Sequence, residues 1–169
     1  LYGGAWLLAK RMVDEQLTQL VSSGRYQQAD YTNLWLLPNG TLVLRELNLQ
    51  QQDFKLVINS IEVSNIDYLH AIPWHLAVRV DGLHFPDGLT PLYSGSNRLL
   101  ATALEELVDN DTLPVQASYS YHFEPANDEQ IVYDAALSLP GYFDAAVSSE
   151  TRHLSLQELQ DMREAAEED

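Results

Sequence analysis

Leu42-Val43-Leu44-Arg45-Glu46-Leu47-Asn48-Leu49 carries two leucine pairs that a regular strand cannot hold on one side. Strand side chains alternate faces with period two, so Leu42 and Leu44 point one way and Leu47 and Leu49 the other. The same break recurs in 54–63, where Phe54, Leu56 and Ile58 give way to Ile61 and Val63. It recurs again in 76–85, where Leu76, Val78 and Val80 give way to Leu83 and Phe85. Each break either carries the apolar side across the sheet or marks a bulge that restores the phase. Three such segments in succession predict a meander whose strands change phase at a common level.

Matching apolar partners sets the expected pairing. Leu49 beside Phe54, Leu47 beside Leu56 and Leu42 beside Ile61 join the first two strands. Ile58 with Leu83, Leu56 with Phe85, Ile61 with Val80 and Val63 with Val78 join the next two. A sheet built this way buries one face at one end and the opposite face at the other, or coils strongly.

Upstream, a strand is predicted over 29–37, and Pro38-Asn39-Gly40 is a turn signal. Before it, Val13, Leu17, Leu20 and Val21 give residues 9–22 the three- and four-residue steps of an amphipathic helix, which Gly24 is suited to cap. Downstream, 66–75 is a connection with room for a short helical turn, and Phe85-Pro86-Asp87-Gly88 is a turn. Leu99, Leu100, Ala103, Leu104, Leu107 and Val108 form one stripe of a helix over 96–108. Three cleaner strands follow, the first two alternating through Val115–Phe123 and Ile131–Leu139. Pro140-Gly141 fits a type II turn. In 142–154 only Phe143, Ala145 and Val147 line the apolar side, which marks an edge. Ser155-Leu156-Gln157-Glu158 is a capping box that opens an acidic helix to about residue 167. The fold class is therefore α+β, a strongly twisted antiparallel sheet in two meanders packed by two or three helices. Residues 1–154 form one domain, and 155–169 read as a helix cut from a longer chain.

The chain has 169 residues, 9 basic and 25 acidic, for a formal net charge of −16. That field repels phosphate backbones and argues against non-specific nucleic-acid binding. Without cysteine there is no disulfide, thiol catalysis or cysteine-bound zinc. Residues 1–9, Leu-Tyr-Gly-Gly-Ala-Trp-Leu-Leu-Ala, are uncharged and precede Lys10-Arg11. They read as the outer end of a membrane anchor lying upstream of Leu1, with Tyr2 and Trp6 at the interface, or as a helix start packed on the sheet. The chain has no starting methionine, and a fragment or processed product is expected.

Residues with chemical potential are scattered. His70 and His75 flank Pro73, and Asp67 lies nearby, but no compact histidine–carboxylate motif occurs. Ser94-Gly95-Ser96 is not a nucleophile elbow. Asp81-Gly82 sits at a phase change and is read as a bulge rather than as part of a dyad with His84. Gly3-Gly4 and Gly95 form no phosphate loop. No residue is therefore assigned to catalysis, to a metal or to a cofactor. The remaining candidate is apolar surface: Trp35, Leu37, Leu42, Leu44, Ile61, Val63 and Val78 as the lining of a trough for acyl chains. Against it stands full coverage of both faces by the helices at 9–22 and 96–108.

The run Tyr31-x-x-Leu34-x-Leu36-x-Pro38-Asn39-Gly40-Thr41-Leu42-x-Leu44-x-x-Leu47-x-Leu49, with Ile61-Glu62-Val63 and Val80-Asp81-Gly82-Leu83, resembles the start of AsmA-like membrane-anchored envelope proteins of Gram-negative bacteria. The resemblance covers residues 25–85 and carries over no functional residue. It implies a periplasmic domain anchored to the inner membrane, a curved sheet, and a role in lipid handling or envelope maintenance. The expectation is a non-enzymatic envelope domain that binds a lipid or other apolar ligand, or an envelope protein partner. A protein–protein module assembling through edge strands or terminal helices is the alternative, and a hydrolase using His70, His75 or Asp67 comes third.

Overall fold

In the computed structural model the described residues are 2–51, 54–66, 74–88, 102, 105, 107–108, 111–124 and 130–151. One helix, α1 (Tyr2–Ser22), precedes seven strands: β1 (Gln28–Leu36), β2 (Leu42–Gln51), β3 (Phe54–Ser64), β4 (His75–His84), β5 (Thr112–Glu124), β6 (Gln130–Leu139) and β7 (Phe143–Thr151). The strands form one antiparallel sheet in sequence order. The two expected meanders are thus halves of a single one, joined where β4 pairs β5.

The phase changes do not carry the apolar side across the sheet. Leu44, Leu47 and Leu49 are all buried in one cluster with Leu17 of α1 and Leu34 of β1, and Leu42, Ile58 and Ile61 pack against it. Residues from both sides of the break therefore share one face. The backbone shows how. Thr32, Glu46, Asn59 and Gly82 stand opposite one another across β1 to β4, and the pairing steps over each of them. Glu46 and Gly82 hold positive φ values of 52° and 67°. A residue turned into this left-handed region takes its neighbours out of alternation by one step. Because all four strands skip at one level, their register is the same above and below the line. β1 skips too, with Tyr31 and Leu34 on one face, a break absent from the sequence reading. β5 answers with a register shift opposite Asp81–Leu83, at Pro114 and Val115, where proline's missing N–H is tolerated.

The common level also sets the β2–β3 register, which differs by two residues from expectation. Leu49 faces Leu56, Leu47 faces Ile58 and Leu42 faces Val63. A shift of two keeps every side chain on its face, so apolar matching is blind to it. In the observed register Glu46 lies opposite Asn59 and the ladder is interrupted once. The expected register would have placed Glu46 against Val57 and broken the ladder at two levels. The β3–β4 pairing is as expected, with Ile58 on Leu83, Ile61 on Val80 and Val63 on Val78.

The turns follow their residues. Gly24, at φ 75°, ends α1 by donating to Val21 O at 3.1 Å. Gly40 N donates to Leu37 O at 2.9 Å, and Tyr142 N to Leu139 O at 3.0 Å, with Gly141 at φ 87° in the type II position. Helix α1 begins at Tyr2, seven residues before the amphipathic pattern does. A second cluster, Phe85, Leu113 and Leu139, gathers Phe54, Leu56, Leu83, Leu107, Val108 and Val115. Leu56 is the direct partner of Leu49, so both clusters occupy the same face. Of the helix expected over 96–108 most lies outside the described residues, as do the turn within 66–75 and the helix after 155. Thr102 and Glu105 are helical, and Leu107 and Val108 pack on this second cluster.

Gly82 has a further constraint: a Cβ added there would meet the Asn59 side chain, with Asn59 Cγ 3.1 Å away. Gly40, also at positive φ, has open space around it. Gly82→Ala is expected to cost about 2 kcal/mol in urea unfolding and Gly40→Ala about 1 kcal/mol. Adding Asn59→Ala should return part of the Gly82→Ala loss. Equal effects at the two glycines would show that the line across the sheet imposes no steric demand.

Candidate functional site

The alternation of seven strands produces two faces of opposite character. On one, cross-strand partners run Leu36–Leu42–Val63–Val78–Tyr119–Ala135–Val147, beside Leu34–Leu44–Ile61–Val80–Ala117–Leu137–Ala145. This apolar face crosses the whole sheet. Helix α1 covers only the end formed by β1 to β3, through Val13, Leu17 and Leu20. Towards β7 the same rows are open: Tyr119 is 45% exposed, Leu137 41% and Val147 59%. Tyr119 and Tyr121 lie together here, ring centroids 6.2 Å apart. Phe143 and Tyr142 extend the open region past the last turn.

The seven residues expected to line a trough are distributed along this face and beyond it. Leu44 is buried under α1, and Leu42 and Ile61 pack beside it. Val63 and Val78 are half-buried and lead into the open rows. Trp35 pairs with Val43, so it lies on the opposite face, and Leu37 follows the end of β1. Both are exposed. The sequence reading missed Tyr119, Leu137 and Val147, although their strands alternate cleanly. Their alternation was legible, but their place in line with Val63 and Val78 required the β4–β5 pairing.

The opposite face buries Val43 and Val57 at the β1–β3 end, is polar elsewhere, and bears two open concavities. One of about 600 Å³ is lined by small and charged residues including Glu62, Arg79, Ser118, Ser120, Asp134 and Ala146. A second, of about 410 Å³, lies before His75, His122, Asn65 and Asp134. His84 approaches Thr112 Oγ1 at 3.3 Å through its Nδ1. Asp67, His70 and His153 lie outside the described residues. Among the described residues no three histidine or acidic side chains converge as a metal site.

A third cleft, of about 640 Å³, separates α1 from β1. Here Lys10 Nζ donates to Asp14 at 2.5 Å, and Tyr31 Oη donates to the other carboxylate oxygen at 2.8 Å. Lys10 also lies 5.8 Å from the centre of the Tyr31 ring. The bond from Lys10, then that from Tyr31, holds the Asp14 carboxyl below its ordinary range. Burial and the bond to Asp14 push the Tyr31 hydroxyl up. The charges are largely solvent-exposed, so the set orients α1 on β1 more than it stabilises the fold.

At the outer side of α1, Leu7, Leu8 and Met12 are exposed, while the Trp6 indole donates to Leu34 O at 3.4 Å. The first turns of the helix are apolar on the side away from the sheet as well as towards it. No helix of the described residues is long and apolar enough to cross a membrane. Comparison with known proteins finds no matching family model, no matching curated protein and no matching solved structure.

Asp14 supplies a pH test. A carboxyl whose folded pKa is depressed contributes stability above its unfolded pKa, and loses it as pH falls through the lower folded value. Asp14→Asn should therefore be slightly less stable than the parent at pH 7. In thermal unfolding the two should converge as pH drops below the ordinary carboxylate range. A gap that stays constant to pH 2 would mean that the carboxylate charge is not what joins α1 to β1.

Proposed function

We propose that this chain is a non-enzymatic cell-envelope domain that holds a lipid acyl chain, or a ligand of like apolarity, on the open half of its apolar face. The observation that carries this is the run of cross-strand partners from Val63 and Val78 to Tyr119, Leu137 and Val147, which leaves the cover of α1 while keeping its apolar character. Exposed apolar surface continuous with a core favours an apolar partner, since each aliphatic side chain covered contributes about 1.5–3 kcal/mol. The exposed Leu7, Leu8 and Met12 support a membrane-proximal placement of α1. With a net charge of −16, attraction to a bilayer would rest on apolar contact rather than on anionic headgroups.

As the resemblance of residues 25–85 to AsmA-like proteins implies, the proposal includes a periplasmic location, a tether to the inner membrane and a task in envelope maintenance or lipid handling. The finer architecture belongs to the same proposal: a strongly twisted sheet closed by further helices. Leu107 and Val108 on the second cluster support a helix there. A second reading, assembly with a protein partner, is favoured by β7. It is the terminal strand of the sheet, largely exposed, and contains neither proline nor lysine to blunt pairing with another strand.

Organic extracts of protein purified from bacterial envelopes should contain acyl chains, and a spin-labelled fatty acid should be immobilised by the pure domain. Leu137→Glu and Val147→Glu should each weaken that binding about tenfold, the loss expected from one aliphatic contact. Clean extracts with no immobilisation would remove the lipid reading. A concentration-dependent mass abolished by a proline in β7 would then favour assembly.

A further inference from the structure

His75 and His122 are not used by the apolar face, yet the sheet brings them together on the other one. His75 opens β4 and His122 is its direct partner on β5. The neighbouring pair, Trp74 and Phe123, is joined by a hydrogen bond from Phe123 N to Trp74 O. Hydrogen-bonded and non-hydrogen-bonded pairs alternate along an antiparallel ladder, so His75 and His122 occupy a non-hydrogen-bonded pair, the kind with the closer side chains. Their rings stack with centroids 6.1 Å apart and planes 15° from parallel. Both side chains are exposed, and both line the concavity of about 410 Å³ that also includes Asp134.

The tautomer of His75 is set by its surroundings. Its Nδ1 lies against the carbonyl oxygen of Asn65, which only accepts, so Nδ1 carries the proton. The neutral ring then presents the lone pair of Nε2. A metal-binding histidine is commonly oriented in this way, with its other nitrogen donating to a backbone carbonyl. Binding of an ion would turn the His122 ring about χ2, a broad torsion, out of its present stacking on His75. The strongly anionic chain raises the local concentration of cations at such a pair.

We propose that His75 and His122 form a binding site for a divalent, borderline-soft transition-metal ion, the class to which zinc, nickel and copper(II) belong. Imidazole nitrogen suits these ions, whereas magnesium and calcium require oxygen ligands. Two protein ligands leave the remaining positions to water, with the Asp134 carboxylate on the wall of the same concavity. The ion would clip the first residue of β4 to β5 and so fasten the two halves of the sheet.

The test is titration of the untagged chain with nickel and zinc, followed by calorimetry and by histidine side-chain NMR signals, together with continuous-wave spectra of added copper(II). One ion per chain is expected, with nitrogen coordination of copper and a rise in thermal midpoint on adding zinc. His75→Ala and His122→Ala should each weaken binding about tenfold or more, since loss of a ligand costs at least as much as loss of an outer-shell partner. His84→Ala should leave it unchanged. Both variants replace exposed side chains, and far-ultraviolet circular dichroism verifies that they fold. Absence of binding to the parent chain, or binding that survives both substitutions, overturns the assignment.

Discussion

The structure depends on a single line of interrupted pairing across the sheet. At Thr32, Glu46, Asn59 and Gly82 four strands lose alternation by one residue at the same level. Had one strand done so alone, its leucines beyond the line would have faced solvent while those of its neighbours faced the core. Done together, the skip leaves the ladders in register and returns Leu42, Leu44, Leu47, Leu49, Ile58 and Ile61 to the side of α1. Glu46 accepts a left-handed φ for this, a conformation that few residues other than glycine adopt. Asn59 occupies the space that a side chain on Gly82 would need. The requirement for glycine is thus steric as well as conformational.

The consequence is a sheet with one side apolar over its whole width and the other polar towards β7, where at the β1–β3 end Val43 and Val57 are buried. Helix α1, packed on the β1 end, does not reach across such a side. Leu107 and Val108 cover part of the lower end, on Phe85, Leu113 and Leu139. The rows through Tyr119, Leu137 and Val147 keep the composition of a core without its burial. Covering that surface is the driving force on which the proposed apolar ligand rests. The small and charged residues of the other face, such as Glu62, Arg79 and Asp134, suit it to water and ions instead. The proposed apolar surface and the histidine pair accordingly lie on opposite faces of the sheet.

Helix α1 joins the core to the exposed apolar surface. Its second half is amphipathic and anchored by Leu17 in the core, with Lys10, Asp14 and Tyr31 fixing its azimuth on β1. Its first half is apolar beyond what packing on the sheet uses, because Trp6 meets the backbone of β1 while Leu7 and Leu8 face outward. The sequence offered the end of a membrane anchor or a helix start packed on the sheet; Trp6 packs on β1, and Leu7 and Leu8 are exposed.

Local chemistry fixed the strands, the glycine turns and the edge character of β7, and apolar matching across strands named the β3–β4 pairing that forms. Period-two patterning and positive-φ glycines depend only on neighbours a few residues away. The candidate lining was half legible: Val63 and Val78 lead to the open surface, while Leu44 went to the core and Trp35 to the other face. What tertiary structure decided were questions with two equal local answers. A phase break is compatible with a crossed or a restored face, and a two-residue register shift preserves every face. Whether a half-buried valine ends in core or at the surface depends on which strand lies beyond it. Those choices were made by aligning the skips in four strands, by the packing of α1 on the restored face, and by the pairing of β4 with β5. Each of these is an interaction between residues far apart in the chain, and periodicity within a segment carries no record of it.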